Sequence, residues 1–296
     1  MATIWLDRGE RGSRILLHFM VWLVRKLGRP VALPLLFPIT AYFLVTSREA
    51  RLASREFLTR ALPRTPTLVD SFRHIHCFAT TILDRVLFFA TPGDNFEITV
   101  TDPDGLLERM ERGQGCLLIG AHLGSFDMLR AFTLRRTNLK LKILMHAEHN
   151  QMISGTLASL DPEIAKTLHP MRGPGDLLRL REWIGQGYIV ALLGDRVTPD
   201  DRQIKADFLG APASFPTSPI QLGAMLDAPV FTFFGLYLGG RHYAAHFDLL
   251  AERLQLARPK RAEETARWLQ IYADRLGSYA RSAPYNWFKF FPFWRA

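Results

Sequence analysis

The chain has 296 residues, of which 48% are hydrophobic and 22% charged, a balance that excludes a disordered tail and supplies core material for one large or two small domains. Its two cysteines, Cys77 and Cys116, lie far apart with no C-x-x-C or Cys/His zinc spacing. They exclude a disulfide scaffold and a cysteine-built metal centre and fit a reducing compartment. The net charge of +9 is uneven, because residues 1–66 hold eleven Lys and Arg against four acids.

That basic N-terminal segment is also the most apolar part of the chain. Arg14 and Arg25 bracket ILLHFMVWLV at 15–24, and VALPLLFPITAYFLVT at 31–46 is broken by Pro34 and Pro38. As a helix the first block spans about 15 Å, half of a ~30 Å hydrocarbon core. Two readings are open: a buried core helix, or a hydrophobic hairpin or interfacial anchor held against anionic lipid by its basic flanks. The bracketing favours the anchor. Nucleic acid is disfavoured, since its binders interleave basic residues with polar or stacking groups on a solvated face. A cleaved signal is disfavoured by Arg25 and Lys26, which stand where small residues belong. We therefore divide the chain into 1–66, membrane-associating, and 67–296, a second domain.

From residue 68 the pattern alternates between helix and strand. Apolar spacing predicts a helix over 68–90, stopped by Pro92-Gly93, then a strand at 96–100 and a helix opened by Asp102-Pro103 and ended at Gly113. CLLIGA at 116–121 has no polar alternation and reads as a strand buried on both faces. Further strands are predicted at 141–145, 188–193 and 230–234, preceded by amphipathic stretches at 128–136, 176–185 and 219–226, and a helix at 263–280 closes the fold. This order implies an α/β fold with a largely parallel sheet flanked by helices. The chemistry of such sheets sits beyond the carboxyl ends of the strands, here the loops at 121–127, 146–150 and 194–216.

The stretch GAHLGSFD at 120–127 puts His122, Gly124, Ser125 and Asp127 into the first of these loops. On one helix His122 and Asp127 would diverge by roughly 140°. If Leu123 and Gly124 turn, Asp127 can accept the Nδ1 proton of His122 and leave Nε2 as a base facing the cleft. The Gly124 and Ser125 amides would then point at an oxyanion. The plainer alternative is a histidine satisfied in a turn, with Asp127 capping the helix.

His-x-x-x-x-Asp after a buried strand resembles the signature of the lysophospholipid acyltransferase superfamily, and AHLGSFD is most similar to its late lipid A acyltransferase branch. Gly194-Asp195-Arg196 resembles the family's acidic strand-end motif. Phe208 to Pro216 (FLGAPASFP) resembles the segment before a helix of small and apolar residues, and Pro284-Tyr285-Asn286-Trp287 resembles the Pro-x-x-Trp ending. The aromatic tail looks especially like acyltransferases encoded beside aryl-polyene pigment synthases. The resemblance spans roughly residues 70–294. It implies direct acyl transfer from an acyl carrier protein or coenzyme A thioester to a hydroxyl of a lipid or glycolipid, on the cytoplasmic face of a bacterial inner membrane. In that scheme His122 is the base, Asp127 orients it, and Arg196, with Arg172 or Lys205 behind it, is the oxyanion cation. Asp195 is either a substrate-binding or a structural acid. Neither a metal nor another cofactor is implied, because thioesters are already activated. Rival readings are a non-catalytic membrane-bound scaffold and a hydrolase working through Ser125.

Other signals carry less. His242 and His246 fall on an expected strand about 13 Å apart, too far for one metal ion. Gly113-x-Gly115 and Gly185-x-Gly187 precede strands and so make no phosphate loop. Ser125 lacks the G-x-S-x-G elbow. The aromatic cluster at 287–294 reads as a packed tail or, alternatively, a lipid contact.

Overall fold

The computed structural model describes residues 14–90, 96–129, 132, 139–146, 166–171, 175–197 and 201–295. Helix α1 (Arg14–Thr46) bends at Gly28, whose φ of +75° is open to glycine alone at no steric cost. Beyond the bend, Ala32, Leu36, Thr40 and Leu44 recur every fourth residue and are buried, whereas Val31, Leu35, Tyr42 and Val45 face outward. The buried stripe packs on α3 (Leu68–Ala90). Between them lies α2 (Arg48–Ala61), whose Phe57 and Leu58 are fully buried. Thr67 and Asp70 open α3 as a capping box: the Thr67 amide donates to Asp70 at 2.7 Å and the Asp70 amide to Thr67 Oγ1 at 3.3 Å.

The boundary drawn at residue 66 is therefore crossed by intimate packing. Arg29, one of the eleven basic residues of 1–66, is 5% exposed and donates to both oxygens of Asp84 on α3, at 2.6 and 2.9 Å. A hydroxyl from the strand region, Tyr243 Oη, donates to the same carboxylate at 2.8 Å.

Among the described residues the main sheet has seven strands. In chain order they are β1 (Glu97–Thr101), β2 (Cys116–Gly124), β3 (Lys140–His146), β4 (Leu168–Met171) and β5 (Tyr188–Leu193), then, after a separate hairpin of β6 (Gln203–Phe208) and β7 (Ala211–Pro216), β8 (Val230–Gly239) and β9 (His242–Ala251). Their spatial order is β1-β9-β8-β2-β5-β3-β4, and every pairing is parallel except β8 with β9. Among the described residues the further α-helices are α4 (Leu106–Glu111), α5 (Asp176–Gly185), α6 (Ser218–Leu226) and α7 (Arg261–Ser282). The expected α/β architecture with a mostly parallel sheet is the one observed.

β2 lies in the middle. Leu117, Ile119, Ala121 and Leu123 join the core formed with α2, α5, α6 and α7, while Cys116 and Leu118 join the one formed with α1, α3 and α4. Burial of both faces explains the unbroken apolar run. Three strands escaped the sequence reading. β4 is only four residues long, and the β6–β7 hairpin contains Pro212 and Pro216 and turns on Leu209 and Gly210, both at positive φ. The helix expected over 128–136 lies mostly outside the described residues, as do 147–150 and Arg172.

Candidate active site

β2 does not stop at Ala121 but runs to Gly124, so His122 sits on a strand and not in a turn. Its neighbour β5 pairs in parallel register from Cys116↔Ile189 to Gly120↔Leu193. Two residues further along each chain, that register brings Asp195 level with His122. The Asp195 carboxylate accepts the His122 amide at 2.9 Å and the His122 Nδ1–H at 2.7 Å. This fixes the tautomer and leaves Nε2 as the unprotonated nitrogen.

The partner that the spacing suggested for His122 stands elsewhere. The chain turns helical only at Asp127, whose carboxylate meets Arg85 Nε of α3 at 2.7 Å. The expected oxyanion amides are also engaged: Gly124 N donates to Asn286 O and Ser125 N to Gly235 O, both at 2.7 Å. At φ +69°, and with the Gly235 oxygen 1.9 Å from where a Cβ would stand, position 124 admits only glycine. Gly124 is thus a packing residue, required by the close approach of β2 and β8.

The C-terminal segment forms the other wall of the site. Phe288 N donates to His122 O at 2.8 Å, and Leu123 bridges Trp287 as if the tail were an antiparallel strand. Trp287 is fully buried against Phe57, Phe208 and Phe293, and its indole N–H reaches Asp195 Oδ2 at 3.3 Å. Lys289 is 2% exposed, and its Nζ lies 3.6 Å from Asp195 Oδ2. The aromatic cluster is accordingly a packed tail, and its basic residue is one the sequence reading passed over.

These charges set the protonation of the site. Burial alone raises the Asp195 carboxyl, but Lys289 and His122 outweigh it and hold it well below the usual carboxylate range. Burial, then the positive charges of Lys289 and Arg196, lower the His122 imidazole against the opposing pull of Asp195. Burial pushes the Lys289 ammonium down to about 8, with Asp195 opposing.

His122 borders a cavity of about 620 Å³ walled by apolar side chains such as Phe78, Ile82, Leu144, Met171, Leu193 and Leu222. Its polar lining includes Arg85, Asp127, Ser125 and Arg196. Arg196 follows Asp195, and burial lowers its guanidinium from the ordinary value. Lys205 is exposed on β6, and the cavity lining does not include it. Among the described residues no hydrogen bond joins Ser125 to His122, as serine hydrolysis through this histidine requires.

A second histidine supports the tail. His74 on α3 is fully buried, donates from Nε2 to Trp287 O at 2.8 Å and accepts from the Ser54 hydroxyl of α2 at 2.9 Å on Nδ1. Burial lowers its pKa from 6.5 to about 4. Between those two values the unfolded chain binds a proton that the folded chain refuses, so stability falls as pH drops through the window, by about 3 kcal/mol from this residue. Denaturant titrations across this range are expected to show the loss, and His74→Gln to flatten the slope; an unchanged slope would remove His74 as its source.

Among curated proteins, no match to the chain is found. The model of the bacterial lipid A biosynthesis acyltransferase family matches residues 11–296, nearly the whole sequence including β2, the Asp195 strand end and the C-terminal tail, and the chain belongs to that family.

Proposed function

We propose that the protein transfers a fatty-acyl or related acyl group from an acyl carrier protein or coenzyme A thioester to a hydroxyl of a membrane lipid or glycolipid, at the cytoplasmic face of a bacterial inner membrane. Family membership supports acyl transfer to a lipid acceptor. The observation that carries the mechanism is the 2.7 Å contact of His122 Nδ1 with Asp195 beside a large apolar cavity.

In this scheme the acceptor hydroxyl binds His122 Nε2 and loses its proton there as its oxygen attacks the thioester carbonyl. Asp195 stabilises the imidazolium that forms. The tetrahedral oxyanion is met by Arg196 at the cavity wall, since the Gly124 and Ser125 amides are occupied. Collapse expels the thiolate, which takes the proton back from Nε2, giving ester and free thiol. Apolar walls accept the acyl chain, and the Arg85–Asp127 pair offers a donor and an acceptor to the polar part of the acceptor. The aromatic tail supports a place near the acyltransferases of aryl-polyene clusters. Mass spectrometry of lipids from cells with and without the gene tests the reading. One lipid class should carry an additional acyl mass only when the gene is present; identical lipid profiles would overturn it.

Residues 1–66 provide the membrane contact in this reading. Gly28–Thr46 is a 19-residue helical segment with mean hydropathy 1.4 and only 22% of it buried. Because one face is held on α3, the segment lies along the membrane surface with its outer face in lipid. Changing Val31, Leu35 and Val45 together to Asp is expected to move the protein from the membrane pellet to the soluble fraction while leaving the thermal transition in place. Retention in the pellet would mean that another surface holds the membrane.

A further inference from the structure

The proposed mechanism uses His122 and Asp195 but leaves unexplained why a lysine is buried beside them. Lys289 lies beyond the end of α7, is 2% exposed, and among the described residues has no hydrogen-bond partner for its Nζ, which instead faces Asp195 at 3.6 Å. An ammonium in such a place costs several kcal/mol of desolvation unless a charge compensates it. Asp195 is that charge, and it is shared with His122. Trp287, two residues earlier, donates to the same carboxylate oxygen, and Phe288 is hydrogen-bonded to the His122 carbonyl. His74, itself held by the Ser54 hydroxyl, donates to the Trp287 carbonyl.

We infer that the C-terminal segment 286–289 completes the active site, with Trp287 and Lys289 as positioning residues that fix the orientation and charge of the His122–Asp195 pair. Trp287 and the His122 amide hold one carboxylate oxygen so that the other meets Nδ1. Lys289 keeps Asp195 ionised while opposing accumulation of positive charge on the resting imidazole, so His122 stays a neutral base at lower pH than Asp195 alone would allow. Among the described residues the charged groups that act on His122 are Asp195, Lys289 and Arg196, and the cavity it borders is also lined by Asp201 and by the mutually paired Arg85 and Asp127.

This inference rests on His122 acting as the base, and its test is readable without turnover. In the full-length protein in detergent, labelled on histidine Cε1, the His122 resonance is assigned by its loss in His122→Gln and then titrated. The wild-type midpoint should lie below that of an ordinary histidine. Lys289→Met should move it to higher pH, with the acid limb of kcat/KM moving in the same direction. Lys289→Gln, which keeps a group able to donate to Asp195, guards against misfolding of the methionine variant and should give the same upward movement. Trp287→Phe keeps the ring, loses the indole N–H, and should lower kcat on the order of tenfold with KM little changed. A His122 midpoint unmoved in the folded Lys289 variants, with only thermal stability altered, would reduce the tail to packing. Absence of any product from wild type, with the titration still displaced, would instead count against the acyltransferase reading alone.

Discussion

Asp195→Asn is expected to lower kcat by about 10⁴, the loss seen when the acid of a Ser-His-Asp system becomes an amide that stabilises the wrong tautomer. Asparagine keeps the shape and the acceptor for the His122 amide, but its NH₂ or carbonyl cannot hold Nδ1–H and balance an imidazolium together. His122→Ala is expected to cost on the order of 10² to 10⁴ by loss of the base itself. Asp127→Asn should act differently. Its carboxylate pairs with Arg85 and not with His122, so the variant should change KM for the acceptor and leave kcat within about tenfold. Steady-state kinetics on the three variants, each checked for a cooperative thermal transition, separates the two acids. A collapse of kcat in Asp127→Asn with Asp195→Asn nearly normal would reverse the assignment.

Arg29→Met should produce the largest loss of stability of any single substitution in the N-terminal helices. Arg29 and Asp84 are 5% and 0% exposed, so removing the guanidinium strands a buried carboxylate that, among the described residues, keeps the Tyr243 hydrogen bond and the charge of Arg241. Breaking such a pair from one side costs about 3–5 kcal/mol. Replacing both partners, Arg29→Met with Asp84→Leu, should recover much of it, because no charge is then left uncompensated. Urea unfolding in detergent measures both, and a loss below about 1 kcal/mol in the single variant would mean that water reaches the pair. The pair also ties α1 to α3, which lines the cavity through Phe78, Ile82 and Arg85.

Regular elements with strong periodicity were legible in the sequence. α3 and α5 span the residues that apolar spacing marks, and β5 coincides with YIVALL. The end of β2 was not legible, because Gly-Ala-His-Leu-Gly carries turn-like glycines; Gly124 instead admits the backbone of Gly235, a contact set by a strand more than a hundred residues away. That misplaced end also misdirected the partner of His122. Helical geometry relates residues 122 and 127, whereas a parallel register relates 122 and 195, and register follows from strand order, which no local pattern reveals. Asp195 was visible as an acid at a strand end, but not its partner. Lys289 and Trp287 were legible only as an aromatic tail, since their chemistry depends on contacts with residues 195 and 122. Arg29 illustrates the reverse error, because charge counting treats every arginine in a basic segment as solvated.

The most direct test of the account is a single-turnover reaction of the purified full-length protein in mixed lipid vesicles with a radiolabelled acyl thioester, recording the label in lipid, in free fatty acid and on the protein by intact mass. The account expects label to pass from thioester to lipid with no acyl-protein species, the transfer to survive Ser125→Ala, and His122→Ala to abolish it. Label accumulating on Ser125, or released as free acid in place of acylated lipid, would contradict direct transfer through the His122–Asp195 pair.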